Sequence, residues 1–347
     1  MNITQVGIDL AKAVFQVHGI DVRGKITVRK QLKRSQVVAF FARLTPCLIG
    51  MEACGGAHFW ARKLMQCGHT VKLIAPQFVK PYVKTNKNDV ADAEAICEAV
   101  GRPNMRFVPI KNTEQQALLG LHRVRQGFVI ERTAQANQIR GLLAEFGLVM
   151  PAGIGCIERK LPEFLEDAEN GLSEVSRALF SRLLEHFRAL DRQVQELERE
   201  INAWHREDTA SQRLQAIPGI GPLTASALVA SVGNANAFHN ARQFAAWLGL
   251  VPRQNSSGGK TKLLGISKRG DTYLRTLLIH GARSVLLSAK RHPDRASGWL
   301  ARVASRRNPN IAAVALANKN ARVVWAMLAH GRDYQVGYRS ANRIVAA

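Results

Sequence analysis

Cysteine is sparse and unpaired in this sequence. The five cysteines, at 47, 54, 67, 97 and 156, form no C-x-x-C pair, and their odd number argues against a disulfide framework or a structural zinc site. A reducing cytoplasm fits that pattern. The opening MNITQVGIDLAK lacks the basic-then-apolar order of a secretory leader, and no stretch reaches the roughly 20 apolar residues of a membrane span, so no membrane partner is expected. Aromatic residues make up only 6% of the chain, so Trp204, Trp247 and Trp325 read as core anchors rather than base-stacking platforms. His122 and His280 have no second His or Cys at ligand spacing and read as packed or partly exposed side chains. Acidic residues are also few. The 26 Asp and Glu face 49 Lys and Arg, a net charge of +23, which makes a polyanion such as nucleic acid the first expected partner. Charge alone fits a ribosome-associated protein as well as an enzyme.

With 347 residues and 46% apolar composition, the chain can bury a core in two or three domains. From residue 3 to about 110, short β-type runs (ITQVGID, AVFQVHGI, KITVRKQ) precede a helix near 35–44. PCLIGME, a helix near 57–66, HTVKLIA and a helix from about 88 follow. The pattern predicts an antiparallel meander followed by parallel crossover units. Ribonuclease-H-like domains have such a mixed sheet, and a generic α/β domain fits the periodicity as well.

Residues 113–147 read as a helix with Arg125, Arg132 and Arg140 on one face, either a solvated stripe or a nucleic-acid contact. Phe180, Leu183, Phe187, Leu190, Val194, Leu197, Ile201 and Trp204 then repeat at 3-4 spacing, a coiled-coil seam that can close within the chain or between two chains. PAGIGC at 151–156 marks the boundary before it. In RLQAIPGIGPLTASALVASVG, Gly219 and Gly221 precede a helix opening at Pro222. This helix-hairpin-helix pattern exposes N–H groups to a phosphate, unless it is an ordinary glycine turn between packed helices.

In so basic a chain the placed carboxylates carry information. Asp9 ends the first strand and Glu52 a later one, while Asp89 and Asp92 share a face at a helix start. Four such oxygen donors suit Mg²⁺, and two ions roughly 4 Å apart stabilise both the attacking and the leaving oxygen of a phosphodiester. Taken singly, a D-x-x-D in a first turn merely complements the helix dipole. The order Asp, Glu, Asp-x-x-Asp over the predicted meander and crossovers is harder to dismiss.

One basic stretch, LVPRQNSSGGKTKL, places two adjacent serines before two glycines, a composition equally suited to a flexible linker. Together, GIDLAK, the glutamate of MEACGG, KTNKNDVADAEAI, PGIGPLTA and LGLVPRQNSSGGKTKLLGISKRGDTYLRTLL resemble the DEDD-type insertion-sequence transposases of family 110, subgroup 1111, relatives of the Piv invertase. The resemblance spans essentially the whole chain. It implies a RuvC-like domain over 1–155 with Asp9, Glu52, Asp89 and Asp92 as metal-binding catalytic residues. It also implies a coiled-coil connector over 156–211 and a mainly helical transposase domain over 212–347.

In that family a serine directly before glycine is the nucleophile, which selects Ser257 over Ser256. Lys260, Lys262, Lys268 and Arg269 would then hold phosphates nearby. The resemblance further implies donor and target DNA, a structured noncoding guide (bridge) RNA, a homo-oligomer from dimer to tetramer with composite active sites, and a bacterial cytoplasmic, nucleoid-associated setting. Two rival readings fit the sequence as well. One is a RuvC-like nuclease cutting branched DNA with water, the other a non-enzymatic nucleic-acid-binding protein.

Overall fold

The computed structural model describes residues 3–84, 88–292 and 298–336, so residues 85–87 of the KTNKNDVADAEAI block and the arginine-bearing end of the tail lie outside the described residues. The chain divides into two compact units, one of residues up to 115 with 232–237, the other of 116–231 with the residues from 238 on. The division falls near the start of a long helix, whereas the sequence expectation set the boundary at 155.

The first unit is built on a six-stranded sheet. Its strands are β1 (Gln5–Leu10), β2 (Val14–Ile20), β3 (Ile26–Lys33), β4 (Leu48–Glu52), β5 (Thr70–Ile74) and β6 (Phe107–Val108), in the order β3-β2-β1-β4-β5-β6. β1, β2 and β3 form the antiparallel meander, and β4 and β5 run parallel to β1, as the alternating pattern predicts. The short β6 closes the far edge antiparallel to β5, a strand the sequence pattern does not announce because two residues carry no periodicity. Helices α1 (Val37–Phe41), α2 (Ala57–Gln66), α3 (Pro76–Val79) and α4 (Asp89–Val100) complete the layers.

One face of the sheet buries Ile8, Phe15, Val17, Leu32, Ile49 and Met51 against Val37, Phe41, Trp60 and Leu64. Burying side chains of this size contributes roughly 1.5–3 kcal/mol each. α4 lies on the other face, and its close approach depends on glycine. A Cβ on Gly7 would stand 2.2 Å from the Ala93 carbonyl oxygen, and one on Gly50 would stand 2.7 Å from Val100 Cβ.

The second unit is mainly helical. α5 (Thr113–Ala144, its unit-two part from 116), α6 (Ile154–Glu166) and α7 (Glu174–Glu207) pack together through Ile139, Leu143, Ile157, Leu161, Phe180 and Phe187. The seam of α7 is thus buried within the chain. Leu184 rather than Leu183 takes the buried position in the second turn, because α6 and α5 present a wider face than one partner helix would. α6 begins inside PAGIGC, where the sequence suggests only a boundary. α8 (Thr209–Leu214), α9 (Pro222–Val232), α10 (Ala241–Trp247), α11 (Thr272–Arg291), α12 (Gly298–Arg306) and α13 (Pro309–His330) follow. A two-stranded sheet, β7 (Pro252–Gln254) with β8 (Leu263–Ile266), separates α10 from α11. Among the described residues no helix is long and apolar enough to cross a membrane.

Candidate functional site

The two candidate centres lie in different units, and each is built by its own local rules. In the first unit, β1 and β4 are parallel neighbours with Ile8 opposite Met51, so Asp9 and Glu52 follow on the next rung. Their side chains fall on the face of Gly7 and Gly50, two residues earlier, which is the face α4 covers. The helix runs antiparallel to β1. Gln5 donates its side-chain amide to Cys97 O, and Gly7 lies under Ala93 and Cys97, so the start of α4 reaches the Asp9 end of the strand.

Asn88 caps that start, accepting from Ala91 N at 2.8 Å, and Asp89 and Asp92 occupy the first turn, where the dipole favours negative charge. Asp89 is exposed, while Asp9, Glu52 and Asp92 are half-buried. Among the described residues no three His, Cys, Asp or Glu side chains come close enough to hold a metal ion. The two strand carboxylates nonetheless act on one group. Desolvation first, then Glu52 and Asp9, hold the Cys54 thiol above its ordinary pKa, although Cys54 is exposed at the surface. Burial pushes Cys47 and Cys97 up to about 11, which leaves them inert packing groups.

In the second unit the serine stretch is an ordered β-hairpin tip. β7 and β8 pair antiparallel, Asn255 N donates to Lys262 O at 2.9 Å, and Lys260 N donates to Ser257 O at 3.0 Å. Gly258 and Gly259, with φ of 55° and 76°, form the two-residue turn between Ser257 and Lys260. Positive φ at both central residues is the type I′ geometry that matches strand twist, so the glycines that read as linker are turn residues. The serines separate clearly. Ser256 Oγ accepts from Gln254 Nε2 at 3.0 Å and from Lys262 N at 3.3 Å, whereas the Ser257 hydroxyl, exposed at the turn, has no hydrogen-bond partner among the described residues.

Lys260 and Lys262 are exposed on the return arm of the hairpin. Lys268, at φ 54°, is the one non-glycine residue with positive φ among those described, and its N–H donates to Gly249 O at 3.1 Å. Arg269 follows it, packed beneath Gly249, where a Cβ would meet Arg269 O at 2.3 Å. The base of the hairpin is held from behind. Arg275, buried, donates to Leu248 O, and Asn318 Nδ2 donates to Leu250 O at 3.1 Å.

Comparison with known proteins shows the family of the chain. Residues 211–297 match the family model described as "Transposase IS116/IS110/IS902 family", and residues 6–147 match a second model described as "Transposase", of the DEDD type. A "Probable family 20 transposase" of Pseudomonas aeruginosa is 53% identical over 97% of this chain and all of its own. The transposase for insertion sequence element IS1111A of Coxiella burnetii is 46% identical, with 97% of this chain and 92% of its own covered. That for IS1328 of Yersinia enterocolitica is 45% identical, with 95% and 98% covered. The chain belongs to the IS110 family of transposases.

The remaining expected site residues of the transposase have other partners. Arg125 donates through Nε to Glu198 Oε1 at 2.9 Å and pairs with it again through Nη2, and Arg132 pairs with Asp191, so both arginines tie α5 to α7. Arg140 reaches Gly153 O at 2.6 Å and Asn137, with no carboxylate partner among the described residues. The Pro-Gly-Ile-Gly turn joins α8 to α9, with Gly219 at φ 88°. It rests directly on α11, since a Cβ on Gly281 would lie 1.8 Å from Gly219 O, and Asn320 Nδ2 donates to Pro218 O at 2.8 Å. Gly221 has open space around its Cα.

A buried network escaped the sequence reading. His122 lies between Tyr273 Oη at 2.9 Å and Ser226 Oγ at 3.1 Å, and Ser226 Oγ donates to Pro222 O at 2.7 Å. These partners are more than 100 residues from His122 in sequence, so no local spacing signals them.

Proposed function

We propose that this transposase cuts and rejoins DNA through two centres, a carboxylate set that binds divalent metal and a nucleophilic serine. The observation that carries the serine half is the division of labour at the hairpin: Ser256 is committed to the loop, while Ser257 stands at the exposed tip beside Lys260 with no hydrogen-bond partner among the described residues. In this reading Ser257 Oγ attacks a DNA phosphorus and forms a phosphoserine ester. The P–O bond to one deoxyribose breaks, the serine proton passes to solvent, and the leaving sugar oxygen takes a proton back from solvent to become a hydroxyl. A serine hydroxyl is a weak nucleophile unless its surroundings favour the alkoxide, and Lys260, Lys262, Lys268 and Arg269 supply that positive environment and grip the flanking phosphates.

A DEDD-type domain implies a divalent metal, and the chemistry of the donor set suits one, although among the described residues no three of these carboxylates are close enough to share it. Asp9 and Glu52 on adjacent strand ends, with Asp89 and Asp92 in the helix turn that reaches them, are hard oxygen donors of the kind Mg²⁺ prefers. Those four residues would hold the ion, which when bound stabilises charge on the attacking and leaving oxygens. Gly219 and Gly221 offer backbone N–H groups to a phosphate at the start of α9. Arg140, free of carboxylates, is the member of the α5 stripe best placed for nucleic acid. Arg125 and Arg132 join it only by releasing Glu198 and Asp191.

α7 serves as a coiled-coil connector, and the protein acts as a dimer or tetramer, because strand exchange needs several active sites on two duplexes. A structured guide RNA of the element supplies sequence choice by base pairing, while the protein reads RNA shape and backbone. The test is a covalent adduct. Wild-type protein purified with its element's RNA, mixed with donor and target DNA in Mg²⁺, should yield a protein–DNA adduct that Ser257→Ala abolishes and Ser256→Ala retains. Cleavage without adduct in both wild type and Ser257→Ala would make water the nucleophile and remove the serine mechanism.

A further inference from the structure

β3 is an edge strand with an unusual load. From Val22 to Arg34 there is no acidic residue, and the segment carries Arg23, Lys25, Arg29, Lys30, Lys33 and Arg34. None of these six forms an ion pair among the described residues. Cationic edges are an ordinary guard against strand pairing, and that function needs no particular face of the strand. Here the register assigns faces. Gln31 pairs with Gln16, which pairs with Asp9, and Glu52 follows on the next strand, so one row across the sheet reads Gln31, Gln16, Asp9, Glu52. The neighbouring row reads Arg29, His18, Gly7, and Gly7 lies under α4. Arg29, Gln31 and Lys33 therefore share the face of Asp9.

α4 packs over β1, β2 and β4, and where it stops the same face continues across β3 with all three side chains exposed. The opposite face of β3 is occupied, with Leu32 in the core and Lys30 over the Phe40 ring. Two interstrand spacings, roughly 10 Å, separate β3 from β1. That distance is within reach of a nucleic-acid strand gripped by long basic side chains.

We propose that the helix-free face of β3 is a DNA track, on which Arg29 and Lys33 hold backbone phosphates of the strand whose scissile phosphate reaches Asp9. The direction of the track rests on the carboxylate reading above, and its existence as a DNA contact does not. The test uses the full-length chain in EDTA with a fluorescein-labelled single-stranded DNA oligonucleotide, its binding followed by anisotropy from 50 to 200 mM salt. Each lost phosphate contact lowers the slope of log K against log salt by about 0.7 on a single strand. Arg29→Ala/Lys33→Ala should therefore lower the slope by about 1.4, so that the salt-induced loss of affinity over this range is roughly 7-fold smaller than in wild type. Lys30→Ala, exposed but on the opposite face over the Phe40 ring, should leave it unchanged.

Arg29→Gln/Lys33→Gln provides the same test if the alanine pair aggregates. An unchanged slope in the double variants would reduce these cations to edge guards and overturn the track. An equal loss from Lys30→Ala would mean diffuse attraction and overturn it as well. Weakened binding of an RNA of the same sequence, with DNA binding intact, would assign the face to RNA instead. A separate cleavage assay in Mg²⁺ with Asp9→Asn tests the direction. If that variant still cuts, the carboxylate reading fails and the track no longer leads to Asp9, even with the slope change present.

Discussion

The Nδ1 atom of His122 accepts the hydroxyl hydrogen of Tyr273, and the polarity of that bond is fixed from the far side of the ring. Ser226 spends its single hydrogen on Pro222 O, so it must accept from Nε2–H, which leaves Nδ1 as the acceptor. Burial raises the Tyr273 pKa, and the charge of Arg125, itself paired with Glu198, acts against that rise. The network joins α5, α7, α9 and α11 through a neutral imidazole.

Burial, with a smaller contribution from Arg125, lowers the pKa of His122 from 6.5 to about 4. The unfolded chain therefore binds a proton that the folded chain refuses between those two values. Stability rises with pH across that window and is lost as pH falls through it, by on the order of 3 kcal/mol in full. Urea midpoints measured at pH 7 and pH 4.5 should fall less for His122→Gln than for wild type, since glutamine can still donate and accept but does not titrate. An equal fall in both proteins would place the acid sensitivity elsewhere.

The hairpin tip gives a sharper functional test. Gly258→Ala puts a Cβ at φ 55°, at a cost of about 1–2 kcal/mol to the local turn, while asparagine is a preferred residue for that position in a type I′ turn. Adduct formation should drop several-fold in Gly258→Ala and be largely kept in Gly258→Asn, with the melting temperature of both within a few degrees of wild type. A Gly258→Ala protein with wild-type adduct yield would show that the tip's shape is irrelevant to the chemistry.

This hairpin also shows where sequence reading runs out. The meander and crossovers of the first unit were legible because each strand carries its own period-two pattern, and register then places Asp9 beside Glu52. The stretch from Asn255 to Lys262 carries no such pattern. What gives it its hairpin shape is a pair of positive-φ glycines with cross-strand hydrogen bonds, and Leu248 and Leu250 are anchored by Arg275 and Asn318, 27 and 68 residues further along the chain. The arginine stripe was legible only in part. Helical spacing put Arg125 and Arg132 on one face, but only the packing of α7 reveals that the face meets Glu198 and Asp191.

Those ion pairs predict a coupling. Arg132 and Asp191 are both largely buried against each other, with side-chain exposures of 17% and 28%. Breaking either partner alone leaves a half-buried charge, so Arg132→Ala and Asp191→Ala should each destabilise, and the double variant should lose less than their sum by about 1 kcal/mol. A double-mutant cycle from denaturant unfolding measures this directly, and strict additivity would show the pair to be idle.

α4 seats closely on β1, with its first turn toward the Asp9 end of the strand. Gly7 allows this, because any side chain there meets the backbone of α4 at Ala93 and Cys97, which cannot rotate away as a side-chain tip can. Gly7→Ala must either lift the helix or bend β1, at a cost of about 1–3 kcal/mol by analogy with overpacked cores. Lifting the helix moves Asp89 and Asp92 away from Asp9 and Glu52, so DNA cleavage should fall well beyond what the lost stability explains. Gly120 provides the contrast. It sits inside α5 with open space at its Cβ position, and Gly120→Ala should stabilise by about 0.4–1 kcal/mol through the unfolded state alone, with cleavage unaffected. The two variants separate loss of stability from loss of geometry. If Gly7→Ala cleaves DNA normally at a temperature where it is fully folded, the close seating of α4 is structural only, and the first-turn aspartates do not depend on it for their work.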